Sequence, residues 1–94
     1  MTVATVPASS TEYLHIPVAD GSASIAGEIA VIDSCAEPVE SDWKAAAWDA
    51  GSYKLLIGPG GVLTLTQGTY TAWIRLEAPP ESVVRRSGAV RVGP

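Results

Sequence analysis

A small all-β sandwich is the fold this sequence predicts, and three observations predict it. Val, Ile, Thr, Tyr and Trp occur in short runs separated by Gly, Pro, Ser and Asp, the pattern of strands joined by turns. Several of these runs alternate apolar and polar residues with period two, which places one apolar face on a core. The stretch "LTLTQGTYTAWIRL", residues 63 to 76, sets Tyr70 behind a Gly-Thr corner between two such runs. In immunoglobulin-like sandwiches a tyrosine between strands E and F turns its hydroxyl back to upstream backbone, two positions before an inward residue of strand F. Tyr70 is the predicted structural corner, and Ala72 stands where an antibody domain carries its second cysteine. The prediction is an immunoglobulin-like antiparallel β-sandwich of about seven short strands.

Taken in order, "TVATV" (2 to 6) reads as a short strand or extended arm, and "PASS" marks a break after it. We divide the chain into an N-terminal arm, 1–10, and a sandwich domain, 11–94. In "TEYLHIPV" (11 to 18), Leu14, Ile16 and Val18 form an apolar face opposite Tyr13, His15 and Pro17. Pro17 marks an edge strand, because proline removes a ladder donor. "VADGSASIAG" is a turn region, and "EIAVID" (28 to 33) sets Ile29, Val31 and Asp33 opposite Glu28, Ala30 and Ile32. The segment 37–51 begins like a helix, with Pro38, Glu40 and Asp42. We expect one helical turn around 38–43 and a short strand through Trp48; the alternative is one longer helix, for which an all-β domain has little free face. "YKLLIG" (53 to 58) and "GVLTLT" (61 to 66) flank "GPGG", whose glycines suit a tight hairpin. The closing pair is 69–78 and 85–93, joined by "PPESVV".

Composition narrows the function. At 94 residues the chain is one domain with a thin core. It is 47% hydrophobic and 17% charged, too apolar for disorder, yet it has no continuous apolar run long enough to span a membrane. Net charge is −4, so the broad positive field that holds phosphate backbones is missing and nucleic acid is an unexpected partner. Cys35 is the one cysteine, which forbids an internal disulfide and reads as a buried structural thiol. The N-terminus lacks the parts of a secretory signal, so cytoplasmic synthesis without export is expected.

No constellation performs recognisable chemistry, and no enzyme, cofactor or metal site is predicted. His15 has no second histidine or cysteine near it in sequence, and reads as an exposed edge residue. Asp33, Glu37, Glu40 and Asp42 lack the spacing and glycine of a calcium loop and read as a solvated acidic loop. "GPGG" lacks the Lys and Ser/Thr of a phosphate loop. Alternation sends Trp73 outward with Thr71, Arg75 and Glu77; such a tryptophan beside an arginine marks a partner-binding patch, unless the chain's own loop covers it. Arg85, Arg86 and Arg91 supply three of the six positive charges near the C-terminus, which suits docking on an oppositely charged neighbour as well as a solvated strand. The expected partner contacts are Trp73, Arg75 and Thr71, with Val3 and Val6 of the arm.

The order "YLHIPV", "AEP…DW…W", "LIGPGG", "GTYTAW" and "VVRRSGAVRVG" resembles small immunoglobulin-like virion proteins of tailed bacteriophages of actinobacteria, over most of residues 11–93. The resemblance implies a non-enzymatic structural protein that binds other virion proteins, above all the major capsid protein, as a capsid decoration or accessory. It leaves open a head-to-tail connector or tail component, and a homo-oligomeric arrangement within the particle. Virion localisation, by assembly in the host cytoplasm, goes with it; "MTVATVPASS" lies outside the shared pattern. A different class remains, a carbohydrate-binding module stacking sugars of a host surface on Trp43, Trp48 and Trp73. The five-residue step from Trp43 to Trp48 opposes it, since that puts the two on opposite faces of a regular strand, with one of them expected as the buried strand C tryptophan of such sandwiches.

Overall fold

The computed structural model describes residues 2–19, 21–33 and 36–93, with side chains except those of 2–4 and 78. Cys35, expected as a buried thiol, lies outside the described residues. Seven strands follow one another: β1 (Thr2–Pro7), β2 (Glu12–Pro17), β3 (Ala26–Ile32), β4 (Lys44–Asp49), β5 (Ser52–Ile57), β6 (Gly68–Ala78) and β7 (Glu81–Gly93). One turn of 3-10 helix, Glu40–Asp42, precedes β4. The segment 38–48 is thus a helical turn followed by a strand. Asp42 closes the turn by accepting the Val39 N–H at 3.0 Å.

The strands form one ladder in the order β1-β7-β6-β3-β4-β5-β2, folded into two facing layers. β2 pairs with β5, and β6 lies between β3 and β7, which is how strands B and E and strands C, F and G neighbour one another in an immunoglobulin-like sandwich. β4 joins the layers: Lys44–Ala46 pair with β3, while Ala47–Asp49 pair with β5. A strand that changes sheets in this way closes one side of a sandwich into a near-barrel.

Inward residues alternate as the sequence predicts on β2, where Leu14, Ile16 and Val18 are buried, and on β6, where Ala72, Ile74 and Leu76 are. β3 departs from simple alternation, because Ala30 is as buried as Ile29; it lies opposite Trp73 on the outer face. The core centre is Tyr53 on β5. Its ring packs edge-on to Trp48, centroids 5.0 Å apart, and its hydroxyl donates to the Ile25 carbonyl at 2.8 Å, with Ser22 O at 3.2 Å. Gly27 leaves room for that ring, since an added Cβ would come within 2.5 Å of it.

Four expectations are corrected. Residues 2–7 form a strand paired parallel with Gly88–Gly93 of β7, so the sheet is mixed rather than antiparallel throughout. "GVLTLT" is not a strand: β5 already has β4 on one edge and β2 on the other, so no edge is left for a hairpin partner. The chain instead turns tightly, with Gly58 N–H bonding Leu63 O at 2.7 Å and Val62 N–H bonding Leu56 O at 2.8 Å. Leu63 and Leu65 then lean on the core from irregular backbone. The last hairpin is longer than expected, because β7 begins at Glu81 directly after a Pro79-Pro80 turn containing a cis bond. Finally, no tryptophan lies on β3, the strand C position; Tyr53 and Trp48 fill that part of the core.

At the corner, the Tyr70 hydroxyl donates to the Thr66 carbonyl, four residues upstream, at 2.8 Å. Both partners lie near the surface, so the orphaned carbonyl can reach water. Tyr70→Phe should therefore cost about 1 kcal/mol, a drop of roughly 4–8 °C in melting midpoint by circular dichroism. An unchanged midpoint would mean the bond contributes nothing to the corner.

Candidate functional site

The expected patch lies on the outer face of the β3–β6–β7 layer, and most of it is engaged within the chain. Glu28 and Arg75 stand directly opposite each other in the β3–β6 register. Arg75 donates to Glu28 Oε1 from Nε at 2.9 Å and from Nη2 at 2.7 Å. It also donates to Glu40, from Nη1 at 3.0 Å and Nη2 at 2.7 Å. Its guanidinium sits 4.8 Å from the centroid of the Trp43 ring, within cation–π range. The helical turn that carries Glu40 thereby lies over β3, and Trp43 is buried beneath it. Trp73 is half-buried, and its indole Nε1 is shut from solvent without a hydrogen-bond partner. Arg75 and Trp73 are therefore not a free binding pair: two carboxylates already accept four hydrogen bonds from the guanidinium fork, whose side chain is only 15% exposed. Thr71 beside them is half-buried. Val6 is a core residue, 8% exposed; the backbone of Val3 pairs opposite Ala89, and its side chain lies outside those described.

The hydrogen bonds from Arg75, and then its charge, hold the Glu40 carboxyl below its ordinary value of 4.5, while the two carboxylates hold Arg75 above the usual arginine range. A lowered folded-state value means the clamp contributes fully above the ordinary glutamate range and is lost as pH falls through the folded value. Acid titration followed by tryptophan fluorescence should show a Trp43 transition centred below 4.5. Glu40→Gln should abolish it, and its persistence in that variant would assign it to another group.

A second region has the opposite character. β2 is the last strand of the ladder, with β5 on one edge only. Val18 N–H bonds Gly51 O at 3.0 Å, and backbone groups alternate in direction along a strand, so Tyr13, His15 and Pro17 direct theirs away from β5. Proline stands where its missing N–H forfeits no ladder bond. Across from this edge, β1 accompanies β7 only from Gly88 onward, which leaves Glu81–Ser87 with β6 alone among the described strands. Between the two edges runs a groove of about 350 Å³. Its floor is apolar, built by Ile74, Leu76 and Val83 of the last hairpin with Ile16 and Val18 of β2. Arg85 and Arg86 stand at its rim, both exposed and neither in an ion pair among the described residues. A one-residue irregularity sets them there: Ala72 pairs Gly88 but Trp73 pairs Arg86, so Ser87 is the extra residue of a bulge.

The remaining candidates stay apart. His15 is exposed on the outer side of β2, its ring 6.3 Å from that of Tyr13. Among the described residues no group of three or more His, Cys, Asp or Glu is placed to hold a metal ion. Trp48 faces the core while Trp43 and Trp73 lie on the opposite side of the layer, so the three tryptophans do not share a stacking surface. The Arg75 clamp had a signal in the sequence, since Glu28 and Arg75 both fall on outward positions of neighbouring strands. The groove had only half of one: Pro17 and the two arginines stand out singly, but nothing in the sequence sets them face to face.

Fold and site together define an all-β sandwich domain whose outer face carries the Arg75 clamp and whose β2 edge is unpaired among the described strands. Compared with protein-family models, with curated proteins and with solved structures, the chain matches none.

Proposed function

We propose that the protein is a non-enzymatic structural protein of a tailed-bacteriophage virion, which docks on the major capsid protein as a decoration or accessory. The observation that supports docking is the β2 edge, where main chain unpaired among the described strands, an apolar floor and two arginines without an ion pair among the described residues meet at the surface. Elsewhere the polar groups serve the fold: Arg75 with Glu28 and Glu40, Tyr53 on Ile25, Tyr70 on Thr66. The resemblance over residues 11–93 supplies the virion setting, including assembly in the host cytoplasm. The separation of Trp43, Trp48 and Trp73 speaks against a sugar-stacking surface.

Stoichiometry in purified particles of the phage that encodes the chain tests this reading. Hundreds of copies per particle mean a capsid lattice, and a ring of about six or twelve means a connector. Absence from the particle overturns the virion assignment, whatever else the domain binds.

A further inference from the structure

Resting on the reading of this chain as a docking module, we propose that the groove beside β2 takes an extended peptide segment of another protein, one that alternates apolar with acidic side chains and adds as a strand to the β2 edge.

Where β2 borders the groove and its smaller continuation, its edge offers the His15 N–H and the carbonyls of His15 and Pro17, the main-chain half of a strand-addition site. The floor supplies the other half. Side chains on one face of an added strand would descend between Ile16 and Val18 on one side and Ile74, Leu76 and Val83 on the other. The volume of 350 Å³ falls within the roughly 300–1,000 Å³ typical of ligand sites.

Charge selects the occupant. The chain as a whole is acidic, at −4, yet the rim of this groove is basic through Arg85 and Arg86. Arg85 lies opposite the inward residue Ile74 in the register, so its position is one that would otherwise face the core, and the open edge lets the side chain remain in water. Proline on an edge, a bulge and an inward-register charge are the devices that discourage pairing with a like edge. A second copy would bring the same Pro17 and the same arginines, so self-pairing is disfavoured, whereas an acidic strand neutralises the rim.

Direction follows from topology. β1 runs parallel to β7, and successive antiparallel pairings from β7 through β6, β3, β4 and β5 leave β2 antiparallel to β7. A strand continuing the lane of β1 past Gly88 therefore lies antiparallel to β2.

The test uses the full chain and a displayed library of random peptides of about nine residues, selected in parallel against wild type and the double variant Arg85→Glu, Arg86→Glu. Wild type should enrich alternating apolar and acidic sequences. The variant should enrich basic ones and bind the wild-type peptides at least about tenfold more weakly, with its melting midpoint retained. In wild type, the enriched peptide should slow amide exchange at His15. Enrichment with no charge preference, or binding that leaves that amide exchanging as before, overturns the proposal. So does selection that yields no binder at all. Incorporation of the double variant into particles at wild-type copy number would retain the virion reading while removing this one, so the two fail separately.

Discussion

Tyr53→Ala should lower the melting midpoint of the domain by on the order of 15 °C or more, as expected for a loss of about 3–5 kcal/mol in a chain of this size. Tyr53 is 1% exposed and sits at the centre of the core, between Gly27 and Trp48. Removing its ring leaves a cavity that two β-layers cannot close, because their spacing is set by the backbone ladders on either side. The hydroxyl adds a separate term. It ties the loop before β3 to β5 through the Ile25 and Ser22 carbonyls, so Tyr53→Phe should cost about 1–3 kcal/mol by orphaning partly buried acceptors. Calorimetry on the two variants separates cavity from hydrogen bond. If the phenylalanine variant melts like wild type, the loop is held by packing alone.

Gly58→Ala should be nearly as damaging. Gly58 has φ of +109°, and an added Cβ would fall on the carbonyl oxygen of Ser10, which is backbone and cannot swing away. The dihedral alone costs about 1–2 kcal/mol for a residue with a Cβ, and displacing a packed neighbour adds about 1–3 kcal/mol. Gly60 supplies the control. It also has positive φ, at +79°, but nothing lies within 4 Å of its Cβ position. Gly60→Ala should therefore show the dihedral cost only, and denaturant unfolding of the pair should leave a gap that measures the Ser10 contact. Equal midpoints for the two variants would show that the turn moves away from the β1–β2 connection at no cost.

These two residues show where sequence reading stops. "GPGG" announces a turn needing positive φ, and Gly58 and Gly60 have it. That the turn is pressed against Ser10, beside a Thr11–Pro59 hydrogen bond that spans 48 positions of sequence, is a consequence of β2 pairing with β5. The β4–β5 hairpin shows the reverse. Its two-residue loop puts Ala50 at φ of +45° and Gly51 at +97°, a turn usually signalled by Asn-Gly, and Ala-Gly gives a weak signal for it. Trp73 and Arg75 stand outward as alternation requires, but the engagement of Arg75 was decided by Glu40, which no period connects to β6.

By itself the sequence determined the all-β class, the inward faces of β2 and β6, the edge character of the strand bearing Pro17 and the position of the tyrosine at the corner. Each of these follows from interactions within a few residues: side-chain alternation, a missing N–H, a hydroxyl reaching four residues back. Only the tertiary structure decided that residues 2–7 are a strand, that 61–66 are not, and that Arg75 is clamped rather than free. It alone set Arg85 and Arg86 across a groove from the open edge of β2. The physical reason is that a strand exists by virtue of the edge it pairs with, and a charge is free or bound according to what the fold brings beside it. Edge availability and proximity are properties of the assembled ladder, and no local stretch of the chain encodes them.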